Sequence, residues 1–344
     1  MAVKWIEGFE THTNTTTLAQ KWLNCTGISN ASGKVIGGSA TGSMSMTSPS
    51  RGLDNTMIMG IGIRVNSNAT FVTDNGFYFQ RGAQEQCHLN IDRQAGVGYD
   101  LQLKTGATLI DETVVTLDFD IWYYIELKCE CIASGAYELR VNGVTAFSGT
   151  GASLNESGLT GADTFGMEFL GGFKSARFFL DDLYVLDGSG AVNNDFIGSQ
   201  TIEGIGVTAD GATNNWTNDA GGGSNYDQVN DSTTAHDESG VGGTVSSGTL
   251  AQEDLYTMSD LESLTGSIAA VQFNLRAAVA SAGTRNVLFK VKTGASGSAS
   301  AGTSPVSDTV FKNIPQVMET NPSTAAVWTI SDVNDTQLGV ETGA

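Results

Sequence analysis

Asp181 and Asp182 are the residues whose type and setting most directly suggest chemistry, because they lie between Phe179-Leu180 and Leu183-Tyr184. Side chains alternate across a strand, so in a regular strand one of the two carboxylates must face the apolar side. A carboxylate placed there needs hydrogen-bond donors or a cation. Calcium takes about six to eight oxygens, and no loop in the chain carries that spacing. The reading adopted is structural: the pair pins a closing strand by accepting from backbone amides of an adjacent turn.

Hydrolysis of a glycosidic bond needs two carboxyl groups roughly 5–10 Å apart across one cleft. Asp118 and Asp120 share a parity, as do Glu126 and Glu130, but Trp122, Tyr124 and Lys128 interrupt these groups. They read as a solvated strand face. Nucleophile-elbow, phosphate-loop and Ser/His/Asp patterns are missing from the sequence. His12, His88 and His236 lie far apart, and no second cysteine pair completes a zinc site around Cys129 and Cys131. No catalytic residue, metal ligand or cofactor is therefore assigned, and the chain is expected not to be an enzyme. Trp122 and Tyr124 remain as ligand-binding candidates. Their rings can stack on a sugar or pack against a second domain or subunit.

The element that positions these groups is a long strand. Phe119, Ile121, Tyr123, Ile125, Leu127, Cys129 and Cys131 occupy one parity, against Asp120, Trp122, Tyr124, Glu126, Lys128 and Glu130 on the other. Tyr137, Leu139 and Val141 resume the alternation. Asn142-Gly143 then supplies two residues that tolerate positive φ, the signature of a tight hairpin. Met57, Met59, Ile61, Ile63 and Val65 form another apolar parity with Gly60 and Gly62 between them, so a neighbour can approach that bare face closely. In Ala176–Asp187, the residues Phe178, Leu180, Tyr184 and Leu186 share a parity with Asp182.

Shorter strands are expected around residues 5–10, 29–36, 42–46, 70–72, 76–80, 87–92, 99–104 and 165–170. About a dozen strands at such spacing make a two-sheet sandwich. The expected organisation is all-β, with one domain over residues 1–190 and a second, smaller β-sandwich domain over 191–344. The latter includes a long polar surface loop at about 210–248, anchored by Trp216, Tyr226 and Val229. A short helix is expected within 254–264, a flexible loop over 295–304, and strands over 306–314, 327–330 and 337–340.

The formal net charge of −20 repels phosphate backbones and anionic membranes, so neither nucleic acid nor membrane insertion is expected. The four cysteines are too scattered for a disulfide scaffold and read as buried thiols. Met1-Ala2-Val3-Lys4-Trp5 offers no apolar signal region, which points to assembly in a cytoplasm.

Four segments carry a resemblance: Ile6-Glu7-Gly8-Phe9-Glu10; Ile121 to Leu127; the hairpin from Tyr137 to Gly143; and Phe179-Leu180-Asp181-Asp182-Leu183-Tyr184-Val185. Together they resemble the concanavalin A-like (laminin G-like) jelly roll over roughly residues 1–190, a fold that hosts lectins, hydrolases and plain structural modules. That family's metal-site motif is not recognisable here. The second half carries another likeness. Leu186-Asp187-Gly188-Ser189-Gly190 leads into Asn193-Asn194-Asp195-Phe196, and the end of the chain runs from Ala326-Val327-Trp328-Thr329 to Gly339-Val340. These are similar to structural proteins of tailed bacteriophages. The resemblance implies a virion component of the head or tail, assembled in the host cytoplasm. It would act as a homo-oligomer beside other capsid or tail proteins, with a host surface glycan as the alternative partner.

Overall fold

The computed structural model describes residues 2–9, 21–22, 25, 28–31, 34–37, 44–50, 52–67, 76–94, 97–114, 116–169, 178–230, 243–261 and 265–343. The strand expected at 70–72 lies outside these residues, as do His12 and His236. The chain is nearly all β and divides into two compact units, Met1–Ile202 and Glu203–Ala344. The division falls after Ile202 rather than after Gly190.

The first unit is a sandwich of two antiparallel sheets. One is eight-stranded, with Thr56–Val65 hydrogen-bonded between Trp122–Glu130 and Phe178–Asp187. Gly135–Val141 and then Val144–Ala152 extend it on one side; Lys34–Gly37 and Ile28–Ala31 extend it on the other. The seven-stranded sheet runs through Leu117–Asp118, Gly98–Thr105, Gln84–Gln94, Gly76–Arg81, Thr164–Phe169 and Met44–Thr47. Consecutive hairpins alternate with long-range pairings, such as Thr56–Val65 with both Trp122–Glu130 and Phe178–Asp187, and Thr164–Phe169 with both Gly76–Arg81 and Met44–Thr47, as in a jelly roll.

The core follows from alternation. Met57, Met59, Ile61, Ile63 and Val65 meet Ile125, Leu127, Cys129 and Leu139 from one sheet and Phe77, Phe79, Leu89, Ile91, Leu101, Leu103, Phe165 and Met167 from the other. Fully burying each such side chain stabilises the fold by about 1.5–3 kcal/mol, so this layer dominates. Cys87, Cys129 and Cys131 are fully buried free thiols within it. Cys25 is only partly covered, and burial pushes its thiol up to about 12.

One strand departs from regular alternation. The pairing of Phe178–Asp187 with Thr56–Val65 slips between Asp181 and Tyr184, and Asp182 takes φ +53°. An extra residue in a bulge reverses the parity downstream. Leu180 therefore enters the core before the bulge, and Leu183 and Val185 after it. Neither aspartate faces the core; both are half-buried on the other side.

The second unit has a five-stranded antiparallel sheet in the order Val207–Asn214, Glu253–Met258, Thr336–Gly343, Arg285–Thr293, Ala299–Val306. A two-stranded ribbon of Val271–Ala277 and Lys312–Met318 packs on it through Phe273 and Phe289, whose rings meet edge-on at 5.3 Å. Several expectations fail here. The strand expected over 306–314 is broken, one strand ending at Val306 and the next beginning at Lys312, and the strand expected over 327–330 ends at Val327. Glu253–Met258 is an inner strand rather than a helix, with Leu255 and Tyr256 buried. Ala299–Val306, expected as a loop, is the edge strand of the sheet. Ile330–Asn334 is a short α-helix, opened by a reciprocal Thr329/Asp332 capping box. Part of the expected surface excursion is also strand, Val207–Asn214. Trp216 is anchored by its backbone N–H to Asp254 at 3.0 Å and by its indole to the Gln252 carbonyl at 3.0 Å.

Candidate functional site

The outer face of the eight-stranded sheet gathers the chemistry-bearing residues. Register sets three consecutive rows there: Glu126–Gly60–Tyr184, then Tyr124–Gly62–Asp181, then Trp122–Arg64–Phe179. The two glycines hold the middle of the first two rows bare. A Cβ on Gly60 would stand 2.2 Å from the Tyr184 ring, so that ring lies directly across the backbone.

The first two rows are closed over by the stretch from Asp195 to Ile202. Glu126 is 1% exposed, which corrects the expectation of a solvated face. Its carboxyl accepts from the Tyr184 hydroxyl at 2.5 Å and from the Gly198 backbone N–H at 2.8 Å. Burial, then the Glu126 hydrogen bond, push the Tyr184 phenol well above its ordinary range. The Tyr124 hydroxyl donates to the Asp182 carbonyl at 3.0 Å, and burial raises this phenol too. With 8% exposure, Tyr124 does not present a ring to a ligand.

Asp182 accepts the Ile202 backbone N–H at 2.7 Å, while Asp181 accepts the Asp182 N–H at 3.1 Å. Lys128 pairs with Asp195 at 3.1 Å, and the Arg140 guanidinium lies 4.1 Å from the Phe196 ring centre. Asn142 and Gly143 form the hairpin turn at φ +50° and +77°. The Asn142 side chain also accepts the Tyr124 N–H at 2.8 Å.

The third row is different. Trp122, Arg64 and Phe179 are each partly exposed. The Arg64 guanidinium stacks 3.9 Å from the Phe179 ring centre and 5.5 Å from that of Trp122. Trp122 and Phe179 meet edge-on at 6.5 Å. Trp122 is thus half-buried on this face, whereas Tyr124 is buried.

Sequence reasoning missed a second polar array, on the outer face of the seven-stranded sheet. Tyr78 and His88 are cross-strand partners with rings 6.4 Å apart, and His88 is paired on its other side with Lys104. The Tyr78 hydroxyl meets Thr47 at 3.3 Å, and burial raises its pKa. Asn90 donates to Gln102 at 3.2 Å, and Gln102 reaches Asp92 and Glu112 at 3.4 and 3.3 Å. His88 Nδ1 lies 3.4 Å from Glu85, while its Nε2 is buried without a hydrogen-bond partner. The signal was available in the shared parity of His88, Asn90 and Asp92 facing Tyr78 and Gln102. It went unread because parity gives no account of which strands lie side by side. Among the described residues no group of His, Cys, Asp and Glu is arranged to hold a metal ion, and no helix is long and apolar enough to cross a membrane.

No family model matches the chain, and no curated protein matches it. Solved structures do. An alginate lyase, Aly36B, is 11% identical over 52% of this chain and 95% of its own, with a TM-score of 0.37. The carbohydrate recognition domain of Emp47p is 13% identical over 49% and 89%, at 0.36. Domain 4 of AbnA, an extracellular arabinanase from Geobacillus stearothermophilus, is 17% identical over 46% and 75%, at 0.33. The likeness is one of fold, and activity does not follow from it.

Proposed function

We propose that the chain is a non-enzymatic structural component of a tailed-phage virion, acting in assembly and surface display on the head or tail. The observation that carries this reading is the use made of the acidic and phenolic groups on the eight-stranded sheet. Glu126, Tyr124, Tyr184 and Asp182, which in an enzyme would line a cleft, bind backbone groups and one another and so fasten the stretch that leads into the second unit. The resemblance of that stretch and of the chain end to virion proteins supports the same reading, as does the absence of any catalytic motif in the sequence. Electron microscopy of the parent particle with this chain labelled tests it. Label on head or tail at a fixed number of sites is the expected result, and particles that mature unlabelled would overturn it.

A second reading, host attachment through a surface glycan, is favoured by the partly exposed Trp122–Arg64–Phe179 row. Aromatic rings beside a planar cation suit a sugar ring. A glycan array probed with the full chain tests this; a blank array from folded protein removes it.

A further inference from the structure

We infer that Cys87, Cys129 and Cys131 form a three-thiol set that closes one disulfide between the two sheets of the first unit. Cys87 is its constant member, and Cys129 or Cys131 is the other. The oxidant is a small-molecule disulfide of the glutathione type, met when the sandwich opens. The inference stands whether or not the chain belongs to a virion.

The argument starts from where the sulfurs lie. Cys87 belongs to Gln84–Gln94 in the seven-stranded sheet and Cys129 to Trp122–Glu130 in the eight-stranded one, and Cys131 directly follows that strand. All three are 0% exposed and share one core cluster. The Cys87 thiol shares side-chain hydrogen bonds with both of the others, so sulfurs from opposite sheets meet. Cys25 stands outside the set; burial and then Glu7 act on its thiol. Cys129 and Cys131 are poorly placed to join each other. Two residues along a strand rise about 6.4–6.8 Å, whereas the Cβ atoms of a disulfide stand about 3.5–4.5 Å apart. Each can instead reach Cys87 across the core, as the inter-sheet disulfide of antibody domains does. The two cross-links share one sulfur and exclude each other, so a chain closes one bond.

In the closed fold the thiols are inert. The shared hydrogen bonds raise the pKa of Cys87 and Cys131, and burial raises that of Cys129. The attacking species is the thiolate, so the bond forms when the sheets part, during folding or in a transient opening. There the Cys87 thiolate attacks the small disulfide, giving a mixed disulfide and one small thiolate. The thiolate of Cys129 or Cys131 then attacks the Cys87 sulfur and expels the second. Two cysteine thiols are oxidised, the small disulfide is reduced to two thiols, and the two cysteine protons pass to them. The cross-link ties inner strands of both sheets. Gln84–Gln94 lies between Gly76–Arg81 and Gly98–Thr105, and Trp122–Glu130 lies between Thr56–Val65 and Gly135–Val141. Once the core closes again, the bond is shielded from reductant.

The test holds the full chain at its urea midpoint, where it opens and closes repeatedly, in a buffer of oxidised and reduced glutathione. Alkylation in strong denaturant and mass spectrometry then count the remaining thiols. Two of the four cysteines are expected to escape alkylation, with peptide mapping joining Cys87 to Cys129 or Cys131. Returned to plain buffer, the oxidised chain should melt about 5–10 °C above the reduced one. Dithiothreitol should reverse the gain quickly in urea and slowly without it. Cys129→Ala and Cys131→Ala should each still close a bond through the remaining partner, whereas Cys87→Ala should keep all its thiols. Four alkylated cysteines in the treated wild-type chain overturn the inference. So does a bond to Cys25, or one between Cys129 and Cys131. Should Cys87→Ala fail to fold, the wild-type peptide map decides alone, and a bond that omits Cys87 overturns the assignment.

Discussion

Tyr184 lies flat over Gly60 with its hydroxyl on the buried Glu126 carboxyl, so removing that hydroxyl leaves a buried acceptor short of a donor. Tyr184→Phe is expected to cost about 1–3 kcal/mol, read as a lower urea midpoint at unchanged slope. The same phenol makes the fold sensitive to alkali. An unfolded tyrosine ionises at about pH 10, whereas burial and Glu126 hold Tyr184 above that in the fold, and burial does so for Tyr124 and Tyr99. The folded chain therefore keeps protons that the unfolded chain releases. Stability is fully present below about pH 10 and declines as pH rises past it. Tyr184→Phe should make that decline shallower in melting temperatures taken between about pH 8 and 11. Asp182 gives a graded test of the bulge, since its side chain accepts the Ile202 N–H while its backbone holds φ +53°. Asn keeps both properties, Gly keeps only the conformation and Val keeps neither. Melting temperatures should fall in the order wild type, Asn, Gly, Val; a valine variant as stable as the asparagine one would refute the account.

At the scale of strands and turns, the two glycines of Thr56–Val65 separate two kinds of close approach. A Cβ on Gly60 would meet the Tyr184 ring at 2.2 Å, whereas one on Gly62 would meet the Asp181 carbonyl oxygen at 3.3 Å. Gly60→Ala should therefore destabilise by about 1–3 kcal/mol, the usual range for overpacking, and Gly62→Ala by clearly less. Equal losses would mean that the ring gives way freely. The parity of this strand and the spacing around Asn142-Gly143 were legible because alternation and turn chemistry are local. The partners of Glu126 were not, since Tyr184 lies 58 residues away and Gly198 lies 72 away. The bulge at Asp182 was hidden for a related reason. Apolar residues flank both aspartates, so the sequence fits a regular strand or a shifted one, and only pairing with Thr56–Val65 decides. Ala299–Val306 is poor in β-formers and becomes a strand through its pairing with Arg285–Thr293. Glu253–Met258 is drawn into a strand by neighbours on both sides.

For the whole molecule, the decisive stretch is the one between Gly190 and Ile202, which a boundary drawn from composition assigns to the second domain. Its contacts belong to the first unit: Asp195 on Lys128, Phe196 under Arg140, Gly198 on Glu126 and Ile202 on Asp182. A fragment ending at residue 202 is expected to fold with these intact. A fragment ending at 190 strips the cover from Glu126, Tyr124 and Tyr184 and leaves the Asp182 carboxylate without its amide donor. Each lost bond to a buried polar group costs about 1–3 kcal/mol, against a total stability of about 5–15 kcal/mol for a typical domain. The shorter fragment should thus melt well below the longer one, or fail to fold. Adding back only residues 191–198 should recover part of the difference, because Gly198 returns to Glu126 while Ile202 remains absent. If calorimetry finds the fragments ending at 190 and 202 equally stable, the stretch is a plain linker, and its buried bonds hold nothing that the sandwich needs.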